Sequence, residues 1–217
     1  MTSLLFKYRT ISLGFNCYCK GYINEYLKAC EYTIFDFIGT SVWSITELLK
    51  NNFDGLLSMD NIQKIVVNTG EPPMFTNMKY YVRFTHDNFD TDVENTMKKL
   101  HRRIERFTNQ IKNNTNTIIF LRLEETITKR VMYEQYSEKN KMSEYDQLIE
   151  LSTYIKLNIN DNFKIIFFGS KPTNYDKENN IICINVDTSK FFWQTCANTF
   201  NSVLSANKDF VKECLQS

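Results

Sequence analysis

Three runs constrain this chain more than anything else in it: Thr117-Ile-Ile-Phe-Leu-Arg122, Phe163-Lys-Ile-Ile-Phe-Phe-Gly169 and Ile181-Ile-Cys-Ile-Asn-Val186. Each is of strand length and apolar almost throughout, so it must be covered on both faces rather than on one. Helical patterns stand between and after them. One starts near Ser143 and presents Tyr145, Leu148, Ile149 and Ile155; another carries Trp193, Ala197, Phe200 and Leu204 on one face. Doubly covered strands alternating with helices predict an α/β fold, a mostly parallel sheet in a Rossmann-like three-layer arrangement with helices on both faces. About four to six strands are expected, with the strands around Ile11, Phe120 and Phe168, the most apolar, at the centre. The 217 residues are enough for a self-sufficient core, and neither an internal repeat nor a linker breaks them, so 1–217 reads as one domain.

The earliest strand signal is Ile11 to Leu13, broken by Gly14 as a turn residue, with Asn16 as N-cap and Cys17 at a helix start. From Cys19 onward, Tyr22, Ile23, Tyr26, Leu27 and Cys30 form one apolar face at helical spacing. Two residues turn a helix by roughly 200°, which takes Cys17 off that stripe. A thiol at a helix N-terminus has its thiolate favoured by the dipole and the unpaired N–H groups. Cys17 is therefore either a prepared nucleophile or a free cysteine in a tight turn, while Cys19 and Cys30 read as small core residues.

Asp36 lies between Phe35 and Phe37 in an apolar run. A buried carboxylate needs a partner, so Asp36 either caps the helix after Thr40-Ser41 or orients a catalytic group. Val42, Ile45, Leu48 and Leu49 make that helix short and amphipathic, ending near Asn51. Residues 53–90 are the least regular, with Pro72-Pro73 and a short strand at Ile65 to Val67. Lys79 to Asp87 then reads as a strand delivering His86, a candidate general base, to its end beside Asp87. Thr91 and Glu94 suggest a capping box for a long helix whose Val93, Met97, Leu100, Ile104, Phe107 and Ile111 face the core. Its Lys98, Lys99, Arg102, Arg103 and Arg106 make a basic outer face, and His101 rides on the flank as a structural residue.

Twenty-six basic against 25 acidic side chains indicate no nucleic-acid partner. Cysteines at 17, 19, 30, 183, 196 and 214 form no C-x-x-C pair and have no histidine at zinc spacing, so no metal and no cofactor are expected. Reduced cysteines, no signal-like N-terminus and no apolar run of membrane length predict an intracellular, cytoplasmic protein. Richness in Asn, Lys, Ile and Tyr points to an AT-rich genome, viral or bacterial.

In an open parallel sheet, ligands bind beyond the carboxyl ends of the strands. Asn16 and Cys17, Arg122 with Glu124 and Glu125, Ser170 with Lys171, and Asp187 follow those ends. One outcome is a thiol-based site. Its rival is a sugar-nucleotide or phosphate site on the Cys17 helix start, with Arg122, Ser170 and Lys171 as anion contacts. No G-x-G-x-x-G or P-loop is present, which disfavours a standard dinucleotide or triphosphate site. A non-catalytic interaction protein is a third outcome.

Ser12-Leu-Gly-x-Asn-Cys17, Phe35-Asp36-Phe37, Phe84-x-His86-Asp87, His101-Arg-Arg-Ile-Glu-Arg-Phe107 and Phe120-Leu-Arg122 occur in this order. The series, over roughly residues 10–170, resembles that of a family labelled papain-like cysteine peptidase and otherwise of unknown function. The chain departs from it at Phe37, where that family usually has Trp. The resemblance implies a hydrolase acting on a peptide or small-molecule substrate, with Cys17 as nucleophile, His86 as base and Asp36 or Asp87 orienting the imidazole; backbone N–H groups of the same helix start, with Asn16, are the expected oxyanion donors. It also implies a helical domain paired with an antiparallel barrel, against the parallel α/β fold that the periodicities predict.

Overall fold

The computed structural model describes residues 4–14, 17–29, 31–65, 74–125, 142–191 and 195–217. Its principal feature is a five-stranded mixed sheet, mostly parallel, made of β1 (Arg9–Ser12), β6 (Ile118–Leu123), β7 (Phe163–Gly169), β9 (Ile181–Asn185) and β8 (Asn174–Asp176), in that spatial order. The first four run parallel and β8 pairs antiparallel with β9. A second sheet, wholly antiparallel, has the order β2 (Ile38–Gly39), β5 (Val82–Phe84), β4 (Met74–Asn77) and β3 (Ile62–Ile65). Among the described residues there are six α-helices: α1 (Tyr18–Tyr26), α2 (Val42–Lys50), α3 (Val93–Asn113), α4 (Glu144–Asn158), α5 (Cys196–Ala206) and α6 (Lys208–Gln216).

The three continuous apolar runs are β6, β7 and β9, and the two-residue period of a strand explains why they are apolar on both sides. Ile118, Phe120, Ile165, Phe167, Ile181 and Cys183 belong to one cluster, with Leu100, Phe107 and Ile111 of α3, Leu148, Leu151 and Ile155 of α4, and the inner residues of α2. Ile119, Leu121, Leu123, Ile166, Phe168, Ile182 and Ile184 belong to another, with Cys19, Tyr22 and Ile23 of α1, Phe200 and Leu204 of α5, and Val211 and Cys214 of α6. Each large side chain fully withdrawn from water contributes about 1.5–3 kcal/mol. Phe75, Val82 and Phe84 of the antiparallel sheet join the first cluster, with Phe89 against both phenylalanines at 5.4 and 5.0 Å.

The strand order corrects two expectations. β1 lies at one edge, so of those three only the Phe120 and Phe168 strands are interior, with β9 beside them. It is short, and Arg9 at its start pairs with Glu31 at the surface. The parallel strands also follow chain order across the sheet, so among the described strands no reversal creates the crevice on which the ligand-site argument rested. Among the described residues the mostly parallel sheet that the periodicities predict is present, and the antiparallel strands form a separate four-stranded sheet instead of the barrel that the resemblance implies.

Local signals fared unevenly. Ser41 caps α2, accepting from the Ser44 N–H at 3.0 Å, and Ser143 caps α4, accepting from Asp146 N–H at 3.1 Å. The capping box expected at Thr91 and Glu94 is replaced: α3 begins at Val93 after Asp92, and Asn88 Oδ1 accepts from the Asp90 and Thr91 N–H groups instead. The strand expected over Lys79–Asp87 shrinks to Val82–Phe84 because Tyr80 and Tyr81 are in a turn, Tyr81 with φ +57°. The expected Ile65–Val67 strand ends at Ile65, the last described residue there, and Pro72-Pro73, Cys30 and Trp193 lie outside the described residues. No helix among the described residues is long and apolar enough to cross a membrane.

Candidate active site

β1 ends at Ser12, and the chain turns through Gly14 into α1, with Cys17 at the N-cap position and φ −77°, ψ 1°. Only glycine suits this turn. Gly14 has φ +73°, and a Cβ there would stand 2.3 Å from Thr40 Oγ1 and 3.3 Å from the Phe35 carbonyl oxygen. Residues 35–40 are thus packed directly on the turn that leads to Cys17. Asn16, the expected cap, lies outside the described residues.

Of the five described cysteines, Cys17 is the one that is not buried. Its neighbour Cys19 is completely enclosed, and burial pushes its thiol up to about 12. Burial likewise pushes Cys183 up to about 11. Helical geometry therefore separates two thiols only two residues apart, as the stripe argument expects.

Asp36 is 1 % exposed and caps not α2 but its own 3₁₀ turn, Ile34–Asp36, where its carboxylate accepts from the Thr33 N–H at 2.5 Å. Burial raises its pKa from 3.8 to about 6, against the opposing pull of the Lys20 ammonium 3.8 Å away. Lys20, itself 2 % exposed, also donates to the carbonyls of Ala29 at 3.1 Å and Glu31 at 2.5 Å. This lysine was not picked out from the sequence. The signal was available: a carboxylate inside an apolar run requires a cation, and Lys20 is the only basic residue of α1.

His86 is exposed, two residues beyond β5, with its ring edge-on to Phe37 at 5.7 Å. Register brings them together, since Ile38 pairs with Phe84, and Thr85 Oγ1 donates to the Phe37 carbonyl at 3.1 Å. His101 is also exposed, on α3. Asp87 turns the other way. Its side chain is buried and faces the Lys99 ammonium at 2.5 Å. Both candidate orienting acids therefore already hold lysines.

Arg122 and its neighbours correct the anion-site expectation. Arg122 is the fifth residue of β6, in phase with Ile118 and Phe120, and so points into the molecule instead of beyond the strand end. Its side chain is 0 % exposed, with Nε 2.5 Å from Glu144 Oε1. Its Nη1 donates to the Leu13 carbonyl at 2.9 Å and the Thr40 carbonyl at 3.0 Å. Glu144 Oε2 accepts from the Glu125 N–H at 2.7 Å. The guanidinium thus ties the Gly14 turn, the start of α2 and the start of α4 together, a structural use that the sequence does not reveal because Glu144 stands 22 residues further along the chain. Ser170 gives its N–H to Glu124 at 2.6 Å and its hydroxyl to the same carboxylate at 3.2 Å, while Lys171 Nζ lies 4.9 Å from the Tyr145 ring centroid. Glu144 and Glu124 thus engage Arg122 and Ser170, two of the contacts the phosphate reading needed.

Residues 8–160 match the profile of the family described as "Putative papain-like cysteine peptidase (DUF1796)". No curated protein and no solved structure matches the chain.

Proposed function

Because the chain belongs to the Putative papain-like cysteine peptidase family, we propose that it is a cysteine-nucleophile hydrolase of peptide bonds, with Cys17 as the attacking group. The observation that carries this is the accessibility of Cys17 at the N-cap of α1, against the burial of the other described cysteines. A negative charge at that position is favoured by the helix dipole.

In this reading the Cys17 sulfur forms a bond to the scissile carbonyl carbon and gives its proton to His86, while the carbonyl π electrons move to oxygen. Backbone N–H groups at the α1 start, with Asn16, are the donors for that oxyanion. Collapse breaks the C–N bond, the amine leaves with the proton from His86, and water then releases the acid from the thioester. His86 is supported by its exposure and by the segment it shares with the Cys17 turn, since Phe37 meets its ring while Phe35 and Ile38 face Gly14. Asp36 and Asp87 would each have to exchange a lysine for the imidazole, so the reading rests on the Cys17–His86 pair. The division of the mixed sheet between two clusters, one shared with the antiparallel sheet, supports a single domain over 1–217 with Rossmann-like layering.

The test is thiol-dependent cleavage of a fluorogenic peptide mixture. Wild type and Cys19→Ala should cleave, and Cys17→Ala and His86→Ala should not. Cleavage that survives Cys17→Ala, or no cleavage by wild type, contradicts the proposal.

A further inference from the structure

Three of the sequence motifs, Phe35-Asp36-Phe37, Phe84-x-His86-Asp87 and the arginine-rich stretch of α3, meet at one surface. Arg103 lies with its guanidinium carbon 5.8 Å from the Tyr32 ring centroid and 5.5 Å from that of Phe37. The two rings are 5.3 Å apart, and Phe37 continues to His86. Tyr32 and His86 are exposed, while Phe37 and Arg103 are half-buried.

The neighbouring cations are committed within the protein. Lys20 serves two carbonyls and Asp36, Lys99 faces Asp87, and Arg106 Nη1 donates to the Tyr32 carbonyl at 2.6 Å. Arg103 differs: among the described residues it makes ring contacts but no hydrogen bond and no ion pair. A guanidinium held against aromatic rings has its orientation fixed without spending its N–H donors. Its planar fork then matches one chemistry best, a carboxylate bound through two parallel N–H···O bonds.

We propose that Arg103, packed against the rings of Tyr32 and Phe37, is a substrate subsite that binds a peptide carboxylate, from an acidic side chain or from a free C-terminus. This rests on the Cys17–His86 hydrolase reading, which makes the bound molecule a peptide. The path from His86 through Phe37 to Arg103 takes steps of 5.7 and 5.5 Å. An extended peptide advances about 3.3 Å per residue, so the recognised carboxylate belongs roughly two to four residues from the bond attacked.

The experiment uses ¹⁵N-arginine-labelled Cys17→Ala protein, in which binding is separated from turnover, and follows the Arg103 Nε–H signal, assigned by its absence in Arg103→Lys. The probes are acetyl-Ala-Ala-Glu-Ala-Ala-amide, its Gln counterpart, acetyl-Ala-Ala-Ala-Ala with a free C-terminus, and inorganic phosphate. At least one carboxylate peptide should shift the signal saturably and bind about tenfold or more tighter than the Gln peptide. The peptide that does so identifies the source. The preference should vanish in Arg103→Gln and survive in Lys98→Gln, whose ammonium pairs with Glu94 on the exposed face of α3. Equal binding of the Gln peptide, no shift with either carboxylate, persistence of the preference in Arg103→Gln, or tighter binding of phosphate overturns the proposal. Carboxylate binding without any cleavage by wild type refutes the hydrolase alone, and cleavage without carboxylate preference refutes the subsite alone.

Discussion

Replacing Glu144 by Gln should be among the most damaging single-atom changes available in this protein. The Glu144 carboxylate is 4 % exposed and is the counterion of an arginine side chain that is 0 % exposed. One oxygen accepts from Arg122 Nε, the other from the Glu125 N–H. Gln supplies one acceptor and one NH₂ group, so whichever way the amide turns, a donor faces a donor. The charge is lost as well, which leaves a guanidinium inside the protein without its counterion. Breaking a buried pair from one side costs about 3–5 kcal/mol. For a chain of this length each kcal/mol lowers the melting temperature by about 2–4 °C, so a fall of roughly 6–20 °C is expected. Urea denaturation followed by circular dichroism, with thermal melts in parallel, measures it. Arg122→Met should cost a similar amount, and the double variant should cost clearly less than the two single losses added together, because each removes the same interaction. A Glu144→Gln penalty below about 1 kcal/mol, the scale of an exposed pair, or strict additivity, would refute the idea that this pair holds the Gly14 turn, α2 and α4 together.

Gly14→Ala should destabilise the protein by about 1 kcal/mol or more through the positive φ alone, with an added clash at Thr40 Oγ1; Thr40→Ala should relieve only the clash, so the double variant recovers in part in thermal melts. Ser41→Ala removes the acceptor for the Ser44 N–H and should lower stability by about 1 kcal/mol in urea titration, little more than a cap is worth. Asp36 has a folded pKa raised from 3.8 to about 6, so the folded state holds its proton more tightly than the unfolded chain. Its contribution is fully present below about pH 4 and is lost as pH rises towards 6 and beyond, so the melting temperature of wild type relative to Asp36→Asn should fall across that window. A difference that is flat or rises with pH contradicts the assignment.

Much of this fold could be read from the sequence because its interior strands are apolar on both faces. β7 occupies the predicted run residue for residue, and α2 and α4 begin after serines that the pattern itself marks. The edge position of β1 could not be read, since an apolar triplet does not reveal how many neighbours a strand has. The antiparallel sheet was hidden for a related reason: its strands have two to four residues, too few for a period-2 signal to emerge. At the site, helical phase correctly distinguished Cys17 from Cys19. The roles of Lys20 and Glu144 depend on partners 16 and 22 residues away respectively, Asp36 and Arg122, which no local window connects. Arg122 was misplaced by a single structural fact, that β6 continues to Leu123 and keeps it inside.

The nucleophile assignment is tested most directly by limited iodoacetamide labelling of the native protein, mapping each thiol by mass spectrometry over time and assaying peptide cleavage on the same samples. Cys17 should be alkylated first, with Cys19 unmodified until the protein is denatured, and any cleavage activity should fall in step with Cys17 modification. Alkylation of Cys19 before Cys17, or activity that persists once Cys17 is fully modified, would contradict the account.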